Sequence, residues 1–482
     1  MEGTDDFADA TANFLTWLNK KGIKMSHKMK LVDFRMEGRG RGVVATDDFA
    51  EDEVVFSIPR TAVLNVRNSI ADNQHGNSGA ASDVLSSMSP WLALTAVMIS
   101  EGTQTDSEWG PYLAVLPREL NSLVFWDESE LDSLQASAVV KKIGRKSAED
   151  MFSTHISPLG LNGCNIDLCH RVASIIMAYA FDIPDSAEER QINEKDDAAE
   201  DGEDLVSDNG DDEKTVLSMI PLADMLNADA DRNNARLCCD NEDLEMRTIK
   251  PILKGEEIFN DYGQLPQSDL LRRYGYQSDN YATYDVAEIS TESIMSAFQN
   301  STVHPALEKL SSDALERRLE LAQREDIFEE SYDIAHADEN GPSIPDELLA
   351  LLYLLLIDEE NLEAVSTSQA SLPSRSKMTT ELVGQVLAFL LEQRGKEYGT
   401  TLEEDEQLLQ QGNLSIRETM AIKVRMGEKA VIKKAILDAR AFEGSNKRMR
   451  VREIPQGHTN TETRKGKRTR DEPQRSQKKR KT

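Results

Sequence analysis

The sequence predicts an α+β fold: a β-rich domain carrying a helical insertion, followed by an all-helical domain. Three features predict it. Short runs of β-branched and aromatic residues bounded by turn residues occupy 43–66 and return over 216–261. Apolar residues at helical spacing separate the two, within an insertion at about 88–182. From Ser293 to residue 442 the periodicity is helical. The 482 residues allow two or three domains at roughly 100–200 residues each. The composition shifts put the boundaries at 1–295, 296–442 and a tail of 443–482.

Residues 7–23 read as an amphipathic helix with Phe14, Trp17 and Leu18 on one face, and Gly22 can end it. Residues 43–45 and 54–58 read as strands joined by the acidic turn 47–52. Residues 68–87 are small and polar, and so a loop. Residues 90–100 and 165–181 read as helices, the second with Leu168, Val172, Ile175, Ile176 and Tyr179 at helical spacing. Asp and Glu dominate 184–214 with almost no large apolar residue, which predicts a solvated, disordered loop. Strand signals resume at 216–220 and continue to Asp261, with turns at 240–243 and 254–256. Pro345-Asp346-Glu347 opens a strongly apolar helix. The end of the chain inverts the charge: residues 447–482 hold 14 Lys/Arg against 4 Asp/Glu. Its clusters at 465–468 and 478–481 read as a nuclear import signal, or as a basic arm touching nucleic acid, on a disordered tail.

The formal net charge of -31 argues against a general phosphate-binding surface on the body. It suits a basic protein partner, or simply keeps the chain soluble. The four cysteines are too few for a disulfide framework, which points to a reducing compartment. Cys164, Cys169 and His170 with Cys238 and Cys239 have zinc-ligand chemistry but poor spacing, so buried thiols and no metal are expected. The acidic N-terminus lacks the basic and apolar regions of a signal peptide. The longest apolar run, 348–357, is short of the roughly 20 residues that cross a bilayer. The expectation is a soluble intracellular monomer without a membrane partner.

No GxxxxGK[ST], HExxH or GxSxG motif occurs, and Gly38-Arg39-Gly40-Arg41-Gly42 lacks the dinucleotide-binding spacing. Three ordered segments say more. They are Gly40-Arg41-Gly42-Val43-Val44-Ala45-Thr46, then Ile220-Pro221-Leu222-Ala223-Asp224-Met225-Leu226-Asn227-Ala228, then Gly255-Glu256-Glu257-Ile258-Phe259-Asn260-Asp261-Tyr262-Gly263 closed by Leu270-Leu271-Arg272-Arg273-Tyr274-Gly275-Tyr276. Together they resemble the SET domain. The likeness is strongest to its split branch with a helical substrate-binding domain, which contains the Rubisco and ribosomal-protein lysine methyltransferases, and within it to the fungal ribosomal lysine methyltransferases.

The resemblance implies S-adenosylmethionine as cofactor and a protein lysine as methyl acceptor. Carried over residue by residue, Arg39, Gly40 and Arg41 contact the cofactor mostly through backbone, and Asn227 hydrogen-bonds it. Most of the superfamily has Asn-His at 227–228; Ala228 removes the ring and leaves only backbone contacts. Tyr179 and Tyr274 are further pocket positions. Tyr262 is the candidate catalytic residue. Asp224 lies beside the lysine channel, where a carboxylate holds an ammonium. Trp109 and Tyr112 resemble residues beside the substrate path, with packing the favoured reading for both. The chemistry needs a neutral amine about 3–3.5 Å from the methyl carbon, although free lysine titrates near 10.4. The implied target is a large-subunit ribosomal protein, monomethylated. A histone or transcription regulator is the alternative target, and an inactive SET module gripping a basic peptide is the alternative class.

Overall fold

The computed structural model describes residues 6–450 apart from 73–83, 185–214, 240–241, 301–302, 306, 308, 338–340 and 368–370. The acidic loop at 185–214 and the tail beyond 450 therefore lie outside the described residues. Helix α1 (Asp6–Lys20) buries Phe14, Trp17 and Leu18, the face its spacing predicts. Strands β1 (Lys24–Met25) and β2 (Met29–Asp33) follow it. The sequence reading lacks both, because they are short and only partly buried.

Strands β3 (Arg41–Ala45) and β4 (Val54–Pro59) enter different sheets. Strand β4 lies between β1 and β8 (Asp243–Thr248) in a four-stranded antiparallel sheet of order β1-β4-β8-β7, where β7 is Ala235–Cys238. Strand β3 pairs with β2 on one side and with β9 (Glu257–Ile258) on the other, with Val43 opposite Ile258. Pairing at such sequence separation brings the first and third motifs together. The second joins through a parallel bridge between Ala228 and Asn260.

Where the sequence suggests a loop at 68–87, helix α2 (Val66–Asp72) occupies its start. The insertion is built on α3 (Pro90–Thr103) and α5 (Ile166–Tyr179), with the short α4 (Gly110–Leu113) between them. Asn165 caps α5 by accepting from the Leu168 N–H at 2.8 Å. The helix stops at Tyr179 rather than at 181, because residues 180–184 form strand β5 (Ala180–Pro184) against β6 (Thr215–Met219). Sheet hydrogen bonds here override the helical periodicity.

The C-terminal region has its own apolar core. Helix α9 (Asp346–Leu356) is buried on every side, as its Leu-rich composition requires. It packs against α10 (Glu381–Lys396), and α10 crosses the long α12 (Ile416–Arg440). One strand interrupts the helical region: β11 (Ser331–Ala335) pairs with β10 (Val286–Ser290), so this domain is not purely helical. The first residues assigned to the tail are packed rather than disordered. The Glu381 N–H donates to the Gly444 carbonyl, and Met449 is buried against Ile357.

A third cluster of Leu123, Trp126, Leu134, Val139, Leu271, Ala421 and Val424 joins the insertion, the β-rich domain and α12. Around it, Arg425 of α12 donates to the Ser133 carbonyl, Ser137 donates to Glu428, and Arg394 donates to the Ala136 carbonyl. Among the described residues no helix is long and apolar enough to cross a membrane.

Candidate active site

The three motifs meet where residues 227–229 cross Asn260. The Asn260 N–H donates to the Asn227 carbonyl at 2.9 Å, and the Asp229 N–H donates to the Asn260 carbonyl at 3.2 Å. Ala228 lies within this crossing and contributes backbone alone. Just upstream, Leu222 takes φ +79°, an unusual conformation for a branched side chain, and leads into a single tight turn, Ala223–Met225. That turn delivers Asp224 and Asn227 to the same crevice.

On one side of the crevice lies the glycine segment. Nothing lies within 4 Å of where a Gly40 Cβ would sit, so this backbone borders open space. Within the protein the close approach is at Gly42: a Cβ there would lie 2.6 Å from the Phe34 ring and 2.8 Å from the Asn227 amide nitrogen. The side chains of Arg39 and Arg41 turn away. Arg39 pairs with both carboxylate oxygens of Glu257 at 2.9 and 2.8 Å. Arg41 reaches α1 and the insertion, donating to the Phe7 and Val115 carbonyls and to Thr11 Oγ1, with its guanidinium 3.7 Å from the Phe7 ring centre. Both arginine side chains are thus engaged within the protein. Glu257, which the motif reading does not single out, also accepts from Asn227 Nδ2 at 2.6 Å. That leaves Asn227 Oδ1 without a hydrogen bond among the described residues.

On the other side is a cluster of tyrosines. Tyr262 and Tyr274 stack with ring centres 4.4 Å apart and planes 5° from parallel, and Tyr276 meets Tyr274 edge-on at 6.2 Å. The Tyr262 hydroxyl makes a long 3.4 Å hydrogen bond to the Leu226 carbonyl and is only loosely engaged. Burial and the neighbouring Tyr179, Tyr274, Tyr276 and Asp224 push its phenol well above 10. Burial and Asp224 push Tyr179 up to about 12. The cluster is thus a set of neutral hydroxyls near pH 7. Tyr179 ends α5, and Tyr274 ends α6 (Gln267–Tyr274), so both are delivered by helix termini.

Asp224 is 5% exposed. The Tyr112 hydroxyl donates to its Oδ2 at 2.5 Å, while its Oδ1 is buried without a hydrogen bond. Burial raises its carboxyl to about 7, against the lowering effect of Tyr112 and two backbone N–H groups. Trp109 takes the packing role rather than a place beside the substrate path. It is 2% exposed, in the core, packed between Trp17 at 5.6 Å and Tyr112 at 6.3 Å. A large indole gains most by such burial, so it supports Tyr112 rather than facing a substrate. Tyr112, which the sequence suggests is packing, is both packed and bonded to Asp224.

The cysteines do not form a metal centre. Cys164 and Cys169 approach to 3.6 Å between sulfurs, and His170 pairs with Glu149 instead. Among the described residues no group of three or more His, Cys, Asp or Glu could hold a metal ion.

Comparison with known proteins identifies the frame. The SET domain family matches residues 40–263, and the Rubisco LSMT substrate-binding family matches residues 309–432. Ribosomal lysine N-methyltransferase 4 of Saccharomyces cerevisiae is 34% identical over 73% of this chain and 72% of its own length. N-lysine methyltransferase SETD6 of Rattus norvegicus is 28% identical over 89% of this chain and 90% of its own. A solved structure of Rubisco LSMT bound to AdoMet shares the fold with a TM-score of 0.65, at 20% identity over 91% of this chain and 95% of that one. The chain therefore belongs to the SET-domain protein-lysine methyltransferases, in the branch whose SET domain is joined to a Rubisco LSMT-type substrate-binding domain.

Proposed function

We propose that this protein transfers one methyl group from S-adenosylmethionine to the side-chain amine of a lysine in a basic, large-subunit ribosomal protein. The observation that carries the reaction is the gathering of Tyr262, Tyr274, Asn227 and a buried Asp224 in one crevice, in a chain 34% identical to a ribosomal lysine N-methyltransferase. The crevice suits the cofactor. It offers open backbone at Gly40 and an amide oxygen on Asn227 that accepts no hydrogen bond among the described residues. Gly40, Arg41 and Ala228 would hold it through backbone and Asn227 through its side chain. When bound, it supplies the electrophilic methyl of a sulfonium.

The protein's part is placement and dryness. The stacked Tyr262 and Tyr274 rings wall a narrow path. The Tyr262 hydroxyl, neutral and loosely engaged, can orient an amine without competing for its proton. Asp224 adds negative charge that draws an ammonium into the path. The helical domain is the docking surface for the rest of the substrate. The chain's net charge of -31 favours a basic target. The two basic clusters of the tail, 465–468 and 478–481, direct the protein to the nucleus.

The test incubates the purified chain with radiolabelled S-adenosylmethionine and large-subunit ribosomal proteins from cells lacking the enzyme, with histones in parallel. Label on one ribosomal protein, on a single lysine as monomethyl by mass spectrometry, is the expected result. Label only on histones overturns the substrate and keeps the chemistry. No label, with cofactor binding measured separately, overturns the chemistry. A fluorescent fusion should leave the nucleus when 451–482 is removed.

A further inference from the structure

The methyl acceptor must lose a proton before it can react, and the tyrosines are poor candidates to take it. Tyr262, Tyr179, Tyr274 and Tyr276 are all raised above their ordinary value, chiefly by burial, so none supplies a phenolate near neutral pH. Asp224 differs from them in geometry. It sits on the strained turn after Leu222, is nearly closed to solvent, and has one oxygen held and one oxygen bare. Besides the backbone N–H groups of Leu222 and Asp224 in its own turn, the groups that act on it come from three elements: Tyr112 from α4, Tyr179 from α5 and Tyr262 from the segment after β9. Among the described residues no Lys, Arg or His offsets its charge.

We propose that Asp224 Oδ1 accepts the proton of the substrate ammonium, and that Tyr112 is the positioning residue that holds the carboxylate for it. This rests on the methyltransferase reading. In the step an N–H bond of the ammonium breaks and an O–H bond forms on Oδ1. The nitrogen lone pair is thereby freed for the methyl group. The alkylated amine leaves as an ammonium, and Asp224 returns its proton to water when the path reopens. Each turnover thus releases one proton, as the overall reaction requires. The 2.5 Å bond from Tyr112 fixes the carboxylate rotation and leaves Oδ1, not Oδ2, to the substrate. A carboxyl near 7 is matched to this work at physiological pH.

The experiment measures kcat/KM against pH for the full chain, Asp224→Asn and Tyr112→Phe, alongside melting temperature against pH without cofactor or substrate. Wild type should show a rising limb near pH 7. Asp224→Asn should lose that limb and rise about tenfold per pH unit toward the ordinary lysine value. Tyr112→Phe removes a donor that lowers Asp224, so its limb should move to higher pH. A buried carboxyl raised in the folded state loses stability as pH rises from its unfolded value to its folded one. Asp224→Asn should therefore melt above wild type at pH 8, with the difference shrinking toward zero at pH 4. A uniform loss of rate with an unmoved limb in Tyr112→Phe, or an unchanged pH profile in Asp224→Asn, overturns the assignment alone. No transfer by the wild-type chain overturns the methyltransferase reading and this assignment with it.

Discussion

Glu257 ties two motifs together through a single carboxylate. It holds the Arg39 guanidinium with both oxygens and the Asn227 amide with one. Charge-assisted bonds of this kind are each worth roughly 1.5–3 kcal/mol. Glu257→Gln should weaken cofactor binding by about 10-fold or more, read by calorimetric titration, with little change in the far-UV spectrum. In the reaction we propose, Tyr262 orients the reacting amine. Tyr262→Phe keeps the stacked ring and removes only the hydroxyl. It should lower kcat by about 100-fold or more while cofactor affinity and melting temperature hold. A folded variant with near-normal turnover would deny Tyr262 the catalytic role.

At the scale of elements, Gly42 and Gly384 each mark a close approach that a Cβ would block. Gly42 brings β3 against Phe34 and Asn227. Gly384 lets α10 cross α12, because a Cβ there would lie 2.1 Å from the Ala439 carbonyl oxygen. Overpacking costs about 1–3 kcal/mol, so each alanine variant should lower the urea midpoint, and Gly42→Ala should also weaken cofactor binding. Helix α11 (Leu402–Gln411) is fastened to α12 by a buried network. Asp405, 0% exposed, accepts from both Arg425 and Lys429. Asp405→Ala leaves two buried cations without a counter-charge, which should destabilise the protein by about 3–5 kcal/mol in denaturant titration. Asp405→Asn should lose less, since one acceptor remains.

For the whole molecule, the joint between the domains encloses two acidic side chains. Asp285 is 3% exposed, accepts from the Gln267 N–H at 2.9 Å, and is raised to about 7 by burial. Glu428 on α12 is raised for the same reason. A folded pKa above the unfolded one gives stability at low pH that is lost as pH rises through the folded value. Stability should therefore fall between about pH 4 and 7 on account of these groups. Asp285→Asn should gain on wild type across that window by a few kcal/mol at most, with no gain at pH 4. A pH-independent difference between the two would show that Asp285 stays ionised.

The local signals in the chain determined a good deal by themselves. The α1 face of Phe14, Trp17 and Leu18, the apolar α9 and the alternation of β-rich and helical stretches follow from periodicity, which is a property of neighbours in sequence. Motif order alone supports the SET assignment, because glycines, Asn227 and Tyr262 recur in a fixed succession. What tertiary structure decided depends on pairs far apart. Strand β3 finds β9, Asn227 finds Glu257, and Tyr112 finds Asp224, each contact lying more than a domain insertion or a sheet away along the chain. The same logic drew Trp109 into the core and ended α5 at Tyr179, where strand pairing replaced helix. Burial decided the charges as well. In the sequence Asp224 is one of many acids, and only enclosure beside Tyr112 and the tyrosine cluster raises it toward neutral pH, because removing water penalises the charged form.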